Sequence, residues 1–231
     1  MECLYYPELN EQTKFADIIG AEAKHLKALR LRDNDKIMIT NGTGLCAVST
    51  VQRISKEEYR LSVKEYLSGH GEMPRKVGLA MGLLDSRDRF EIALEKAVEL
   101  GVSDFYPLIS DYVQGKKYNK SRTELKVIAA TKQCKRARLM NVYDLVSIVD
   151  FAEMTKDYDQ IILADENGQE PSQTVLKKSV LLLIGPEGGF SEDEIKTFKK
   201  DSRTESWNLG NRRLRAETAA VVCAGIVSAS K

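Results

Sequence analysis

The stretch LLIGPEGGFSEDEI, residues 182–195, places Gly185, Gly188 and Gly189 within five residues, straight after the aliphatic run Leu181–Ile184. Glycines in such a run supply backbone angles that other residues avoid, which suits a tight strand-to-helix turn. They also leave main-chain N–H and C=O groups bare. A flat or charged small molecule can lie against such groups at the end of a buried strand, where open α/β sheets bind ligands. A second stretch, LGNRRLRAETA from Leu209, sets Arg212, Arg213 and Arg215 beside Gly210, with Glu217 and Thr218 just after. Cations gathered at the mouth of a sheet could hold phosphate or stabilise a developing anion. Two nucleotide loops are excluded: there is no G-x-x-x-x-G-K-[ST], and no G-x-G-x-x-G at this turn. Gly42, Gly44 and Ala47 fit G-x-G-x-x-A, but the pattern after them is that of a strand and not a helix, so the dinucleotide reading fails.

The elements that must position these groups follow from periodicity. Leu181–Ile184 is apolar without alternation, as in a strand covered on both faces. Ser191 and Glu194 have capping-box spacing, which predicts a helix start. VGLAMGLL (77–84), DFYPLI (104–109) and IILA (161–164) read as further buried strands. Phe90, Ala93, Leu94, Ala97 and Val98 line one face of a helix over about 88–100, which Gly101 stops. Another helix is expected over 122–133. Strands and helices in alternation imply an α/β domain with a mostly parallel sheet and helices on both faces.

The first seventy residues differ. KIMIT (36–40), LCAVSTV (45–51) and RLSVKEY (60–66) are short strands, the first two joined by an Asn41-Gly42 hairpin signal. A short helix ending near Arg30 and Arg32 precedes them, and the whole reads as a small β-barrel. SGHGEMP (68–74) marks the boundary, giving domains 1–72 and 73–231. The final helix from Ala216 is small and apolar nearly all round, so it is either a core helix or a subunit interface.

Composition excludes several classes. The chain is 42% hydrophobic and 30% charged, that of a soluble globular protein, and no apolar run approaches a membrane span. The amino terminus does not read as a signal peptide. Four dispersed cysteines and two histidines predict no structural metal and a reduced, cytoplasmic setting. The net charge of +1 conceals one strongly basic stretch. Between Gly115 and Met140 stand Lys116, Lys117, Lys120, Arg122, Lys126, Lys132, Lys135, Arg136 and Arg138 against the single acid Glu124. Such a run is either a solvated face or a phosphate-binding footprint.

LLIGPEGGFSEDEI, LGNRRLRAETA, FEIALEKAVELGV (90–102) and AATKQCKRARL (129–139) together resemble the bacterial 16S ribosomal RNA uracil-N3 methyltransferases, the RsmE family of the SPOUT superfamily. The resemblance spans nearly the whole chain. It implies a trefoil-knotted carboxy-terminal α/β domain behind a PUA-like barrel, a homodimer, and S-adenosylmethionine (SAM) as cofactor. By position, Gly185, Pro186, Glu187, Gly188 and Gly189 would hold SAM, with Leu209, Gly210, Leu214, Arg215 and Thr218 as the second wall and Leu163, Ala164 and Glu166 in a third loop. Arg215 would stabilise the uracil anion and Glu217 would orient it or accept a proton. Arg30, Arg32, Lys132, Gln133, Arg136 and Arg138 would grip 16S rRNA within the 30S subunit. Asn211 and Ala216 stand where the family often has proline and threonine. They leave open a non-catalytic assembly protein, or a SPOUT enzyme acting on another rRNA or tRNA nucleotide.

Overall fold

The computed structural model describes residues 1–113 and 118–230, without the side chains of Ala152 and Glu153. Gly115, Lys116 and Lys117 of the basic stretch therefore lie outside the described residues. Contacts sort the chain into two units, Met1–Glu72 with Ile128–Leu139, and Met73–Val127 with the residues from Met140 onward.

In the first unit, β1 (Cys3–Tyr5), β2 (Phe15–Ile18), β3 (Lys36–Thr40), β4 (Leu45–Arg53) and β5 (Tyr59–Ser68) form one sheet in the order β1-β3-β4-β5-β2. Only β1 and β3 run parallel; the other pairs are antiparallel. Leu4 from one edge strand and Ala16 and Ile18 from the other share a single core with Ile37, Ile39, Ala47 and Leu61, so the sheet curls round it. Helix α1 (Gly20–Leu29) adds Ala23 and Leu26 to that core and ends on Arg30 in the left-handed region, φ 54°. The alternation of β3 turns Met38 to the other face, where it packs with Cys3, Cys46 and Ala137.

The segment 134–139 is sewn onto that face by its backbone. Ala137 N–H donates to His70 O at 2.9 Å, Gly44 N–H to Ala137 O at 2.9 Å, and Leu139 N–H to Gly42 O at 2.9 Å. The hairpin glycines make this approach possible. A β-carbon on Gly42 would sit 2.7 Å from Leu139 Cγ, and one on Gly44 would sit 2.8 Å from Arg138 Nη2.

The second unit holds β6 (Lys76–Gly82), α2 (Arg87–Glu99), β7 (Asp104–Ile109), the start of α3 (Lys120–Cys134), β8 (Asn141–Val142), β9 (Val146–Ser147), α4 (Ile148–Met154), β10 (Gln160–Gln169), β11 (Ser179–Ile184), α5 (Glu192–Lys199), β12 (Thr204–Trp207) and α6 (Ala216–Ala229). Its strands are all parallel, in the order β12-β10-β11-β6-β7-β8 with β9 also on β7. Ala80, Leu108, Leu163, Leu181 and Leu183 on one face pack with Ile148 and Phe151 of α4 and Phe198 of α5. Leu79 and Met81 alternate to the opposite face, which α6 covers, with α2 packed beside it. The predicted helix over 88–100 is α2, capped by the Ser86 hydroxyl accepting from Arg89 N–H.

Strand β12, TESW, carries no apolar run or alternation and escaped the sequence reading. It exists because β10 offers it a parallel edge. Strand β10 also runs past the expected Ala164 to Gln169, through a register break opposite Trp207.

Candidate active site

Strands β12, β10 and β11 lie side by side, so the loops leaving β11 and β12 meet residues 163–167 at one edge of the sheet, and the expected third loop is the outer part of strand β10 itself. Between them is a pocket of about 950 Å³ lined by Leu163–Asn167, Ile184–Phe190 and Trp207–Ala216, with Arg89, Ile195 and Ala219. This is the position at which open parallel sheets bind ligands. All the residues expected in the three loops, Leu163, Ala164, Glu166, Gly185, Pro186, Glu187, Gly188, Gly189, Leu209, Gly210, Leu214 and Arg215, line it. Thr218 and Glu217 sit on the first turn of α6 and are not among its lining residues.

The Gly185–Gly189 turn is closed on itself. Gly189 N–H donates to Pro186 O at 2.9 Å, with Gly189 at φ 75°. A β-carbon on Gly185 would lie 2.8 Å from the Gly189 carbonyl carbon, so alanine there must open the turn. Immediately after it, Ser191 and Glu194 form the expected capping box of α5. Its acid does double duty: Glu194 accepts from Ser191 N–H at 2.7 Å and from Asp111 N–H at 2.8 Å, while the Ser191 hydroxyl donates to Asp111 Oδ2 at 2.6 Å. The loop after β7 is thereby tied to the glycine turn.

The Glu187 side chain is engaged elsewhere than in the pocket's interior. Its carboxylate pairs with Arg89 Nη2 at 3.3 Å and accepts from Asp85 N–H at 3.3 Å, and its carbonyl accepts from Arg213 Nη2 at 3.3 Å. On the facing wall, Asn208 donates to Glu166 O at 2.8 Å and accepts from Gly210 N–H at 2.8 Å, which shapes the 208–211 turn. Asp165 is bonded to Lys199 at 2.7 Å. Burial alone would raise its pKa, but the hydrogen bonds from Lys199 and the Asn167 amide, with the lysine charge, outweigh that and hold it below the ordinary range.

Arg215 is the N-cap residue of α6, exposed and on the pocket wall. Glu217, half-buried, has its Oε2 buried with no hydrogen-bond partner among the described residues. Arg89, Asn208 and Trp207 are lining residues that sequence reasoning missed, whereas Asp165 falls within the expected span 163–166. Asn208 carried a signal, since asparagine before a glycine forms such turns. Arg89 carried none, for its helix starts about a hundred residues earlier in the chain.

The basic residues divide. Arg30, Arg32, Gln133 and Arg138 are exposed. Lys132 pairs with Glu22 at 2.7 Å, and Arg136, only 3% exposed, pairs with Glu72 at 2.9 Å. Arg122 and Lys126 both reach Glu91, and Lys120 reaches Asp144. Among the described residues no helix is long and apolar enough to cross a membrane, and no cluster of three His, Cys, Asp or Glu side chains could hold a metal.

A parallel α/β unit with a loop-built pocket at its strand ends, in one chain with a small curled β-sheet, defines a ligand-binding enzyme domain and an accessory module. Residues 71–228 match the family model of the RNA methyltransferase domain, and residues 18–64 that of the RNA methyltransferase PUA domain. The chain belongs to this family of RNA methyltransferases. It is similar to the ribosomal RNA small subunit methyltransferase E of Rickettsia conorii, 29% identical over 84% of this chain and 80% of that protein. The protein of the same name from Bacillus subtilis is 28% identical over 97% of this chain and 95% of its own. A methyltransferase structure from Legionella pneumophila, solved with its cofactor SAM, superposes with a TM-score of 0.85 at 25% identity, covering 98% and 96% of the two chains.

Proposed function

We propose that this protein is a SAM-dependent methyltransferase that modifies N3 of a uridine in 16S ribosomal RNA of the small subunit. The observation that carries the reading is the pocket: the outer part of β10 and the loops after the adjacent parallel strands β11 and β12, one of them a glycine turn that a single β-carbon would force open. The names of the relatives and the cofactor of the Legionella structure support the substrate and cofactor assignments.

The residues fit SAM. Leu163, Ile184, Phe190 and Trp207 give the pocket an apolar lining suited to an adenine, and the bare 185–189 and 208–210 backbones offer donors and acceptors to its edge. When bound, SAM supplies an electrophilic methyl group on a sulfonium centre. The chain's part is to position the acceptor and manage its proton. Uridine N3 is protonated at neutral pH and becomes nucleophilic as that proton leaves. Arg215, exposed on the wall, would stabilise the negative charge spreading onto the uracil oxygens. Glu217, two residues along with an unpartnered carboxylate oxygen, would orient the arginine or take the proton.

For the RNA we assign the exposed Arg30, Arg32, Gln133 and Arg138 to phosphate contacts, with Lys132 and Arg136 shaping that surface from their ion pairs. Domains spanning 1–72 and 73–231, a trefoil knot in the second, a homodimer through the apolar α6 and a cytoplasmic location complete the proposal. The test is incubation with methyl-labelled SAM and unmethylated 30S subunits, then nucleoside analysis of the digested RNA. Label in 3-methyluridine is the expected result; label in another nucleoside would discard the uracil assignment.

A further inference from the structure

The aromatic side chains that line the pocket are sunk in its walls: Phe190 is buried edge-to-face against Phe198, and Trp207 is fully buried with its indole N–H donating to Thr174 at 2.8 Å. Tyr112 does not line the pocket but packs on Gly188, which does. It sits in the loop after β7, is 53% exposed, and rests on the glycine turn, so that a β-carbon on Gly188 would lie 3.0 Å from its Cβ and 3.3 Å from its Cγ. Its loop is not loose at this point. Asp111 beside it is bonded to both residues of the α5 capping box, and Val113 N–H closes a turn onto Ser110 O at 3.0 Å. A large ring is thus held at the rim by the same braces that fix the turn, with an open face.

We infer that Tyr112 is the stacking platform for the nucleobase that is to be methylated. The inference rests on the proposed reaction. N3 lies between O2 and O4 on the pairing edge of uracil, so a base whose N3 faces a methyl donor has given up its partner and its stack. An aromatic face next to the donor pocket replaces part of that lost stacking. A tyrosine ring placed for packing alone needs no open face. Gly188 contributes too, because only a residue without a side chain lets the ring approach the turn this closely.

The experiment compares Tyr112→Phe, Tyr112→Leu and Tyr112→Ala with the wild type, reading kcat/KM for unmethylated 30S subunits and, separately, SAM affinity by calorimetry. The phenylalanine variant keeps the ring and should stay within about twofold of wild type. Leucine keeps apolar packing on Gly188 but offers no aromatic face. Both it and alanine should lose about 10- to 100-fold in kcat/KM for the subunit, with SAM affinity unchanged. A leucine variant as active as phenylalanine would reduce the ring to packing and overturn the inference. A wild type that binds SAM yet methylates no uridine would instead remove the reaction on which the inference stands.

Discussion

The glycine turn at 185–189 and the basic stretch at 116–138 both stand out in the sequence as places where chemistry could occur, and the fold treats them in opposite ways. The turn becomes the wall of a pocket, with the Glu187 carboxylate paired with Arg89 and the Glu187 carbonyl accepting from Arg213. Of the basic residues described, Lys120, Arg122, Lys126, Lys132 and Arg136 each meet a carboxylate of Asp144, Glu91, Glu22 or Glu72. A backbone conformation is a local property, so spacing reveals it. A local excess of charge is not, because acids from anywhere in the chain can neutralise it once folded.

The contrast can be broken most severely at Arg215. Replacing it with alanine should abolish methyl transfer while SAM still binds at reduced affinity; wild-type turnover would show that the pocket's cation is ornamental. Next comes Arg136→Ala. Removing one partner of a buried ion pair leaves Glu72 uncompensated, which should cost about 3–5 kcal/mol and show as a lowered midpoint in thermal or urea unfolding. A stability loss below 1 kcal/mol would return that arginine to solvent and to the RNA.

The exposed and the paired cations should then part company in a salt titration of RNA binding. Neutralising Arg30, Arg32 and Arg138 together should flatten the slope of log affinity against log salt by about 2 units, whereas neutralising Arg122 and Lys126 should leave it in place. Equal effects would mean that ion pairing inside the fold does not withdraw charge from the RNA.

The smallest effect is expected at Glu91. Hydrogen bonds from Arg122 and Lys126 lower its carboxyl from 4.5 to about 2 in spite of burial. A depressed folded-state pKa contributes stability that is complete above the unfolded value and lost as pH falls through the folded one. The contribution should therefore fade between about 4.5 and 2. Glu91→Gln should cost on the order of 1 kcal/mol at neutral pH, and the gap from wild type should narrow below about 4.5 and close near pH 2 in urea unfolding. A gap independent of pH would assign Glu91 to packing.

Much of the pocket was legible because its components are sequence-local: the apolar run of β11, the glycine turn and the Ser191–Glu194 box all lie within LLIGPEGGFSEDEI. The hairpin at Asn41–Gly44 was legible for the same reason, as its asparagine accepts from the Thr43 and Leu45 amides. What escaped is set by distant partners. Strand β12 is held by β10, Arg89 meets Glu187 across the fold, and Tyr112 is placed by a helix cap eighty residues away. No window on the sequence contains those pairs.

The central pairing of the parallel sheet has a consequence for the order of assembly. Strand β6 lies against β11, Lys76 beside Ser179, so an early segment of the domain waits for one made much later. Contacts this far apart along the chain carry a large loop-closure cost and slow folding. The curled amino-terminal sheet pairs only strands that lie between Cys3 and Ser68 and can form first, apart from the later segment it receives. The pocket, whose last wall leads into α6, takes shape only once β12 and the loop after it have been made. A truncated chain would thus emerge with its accessory module formed and its catalytic half unbuilt.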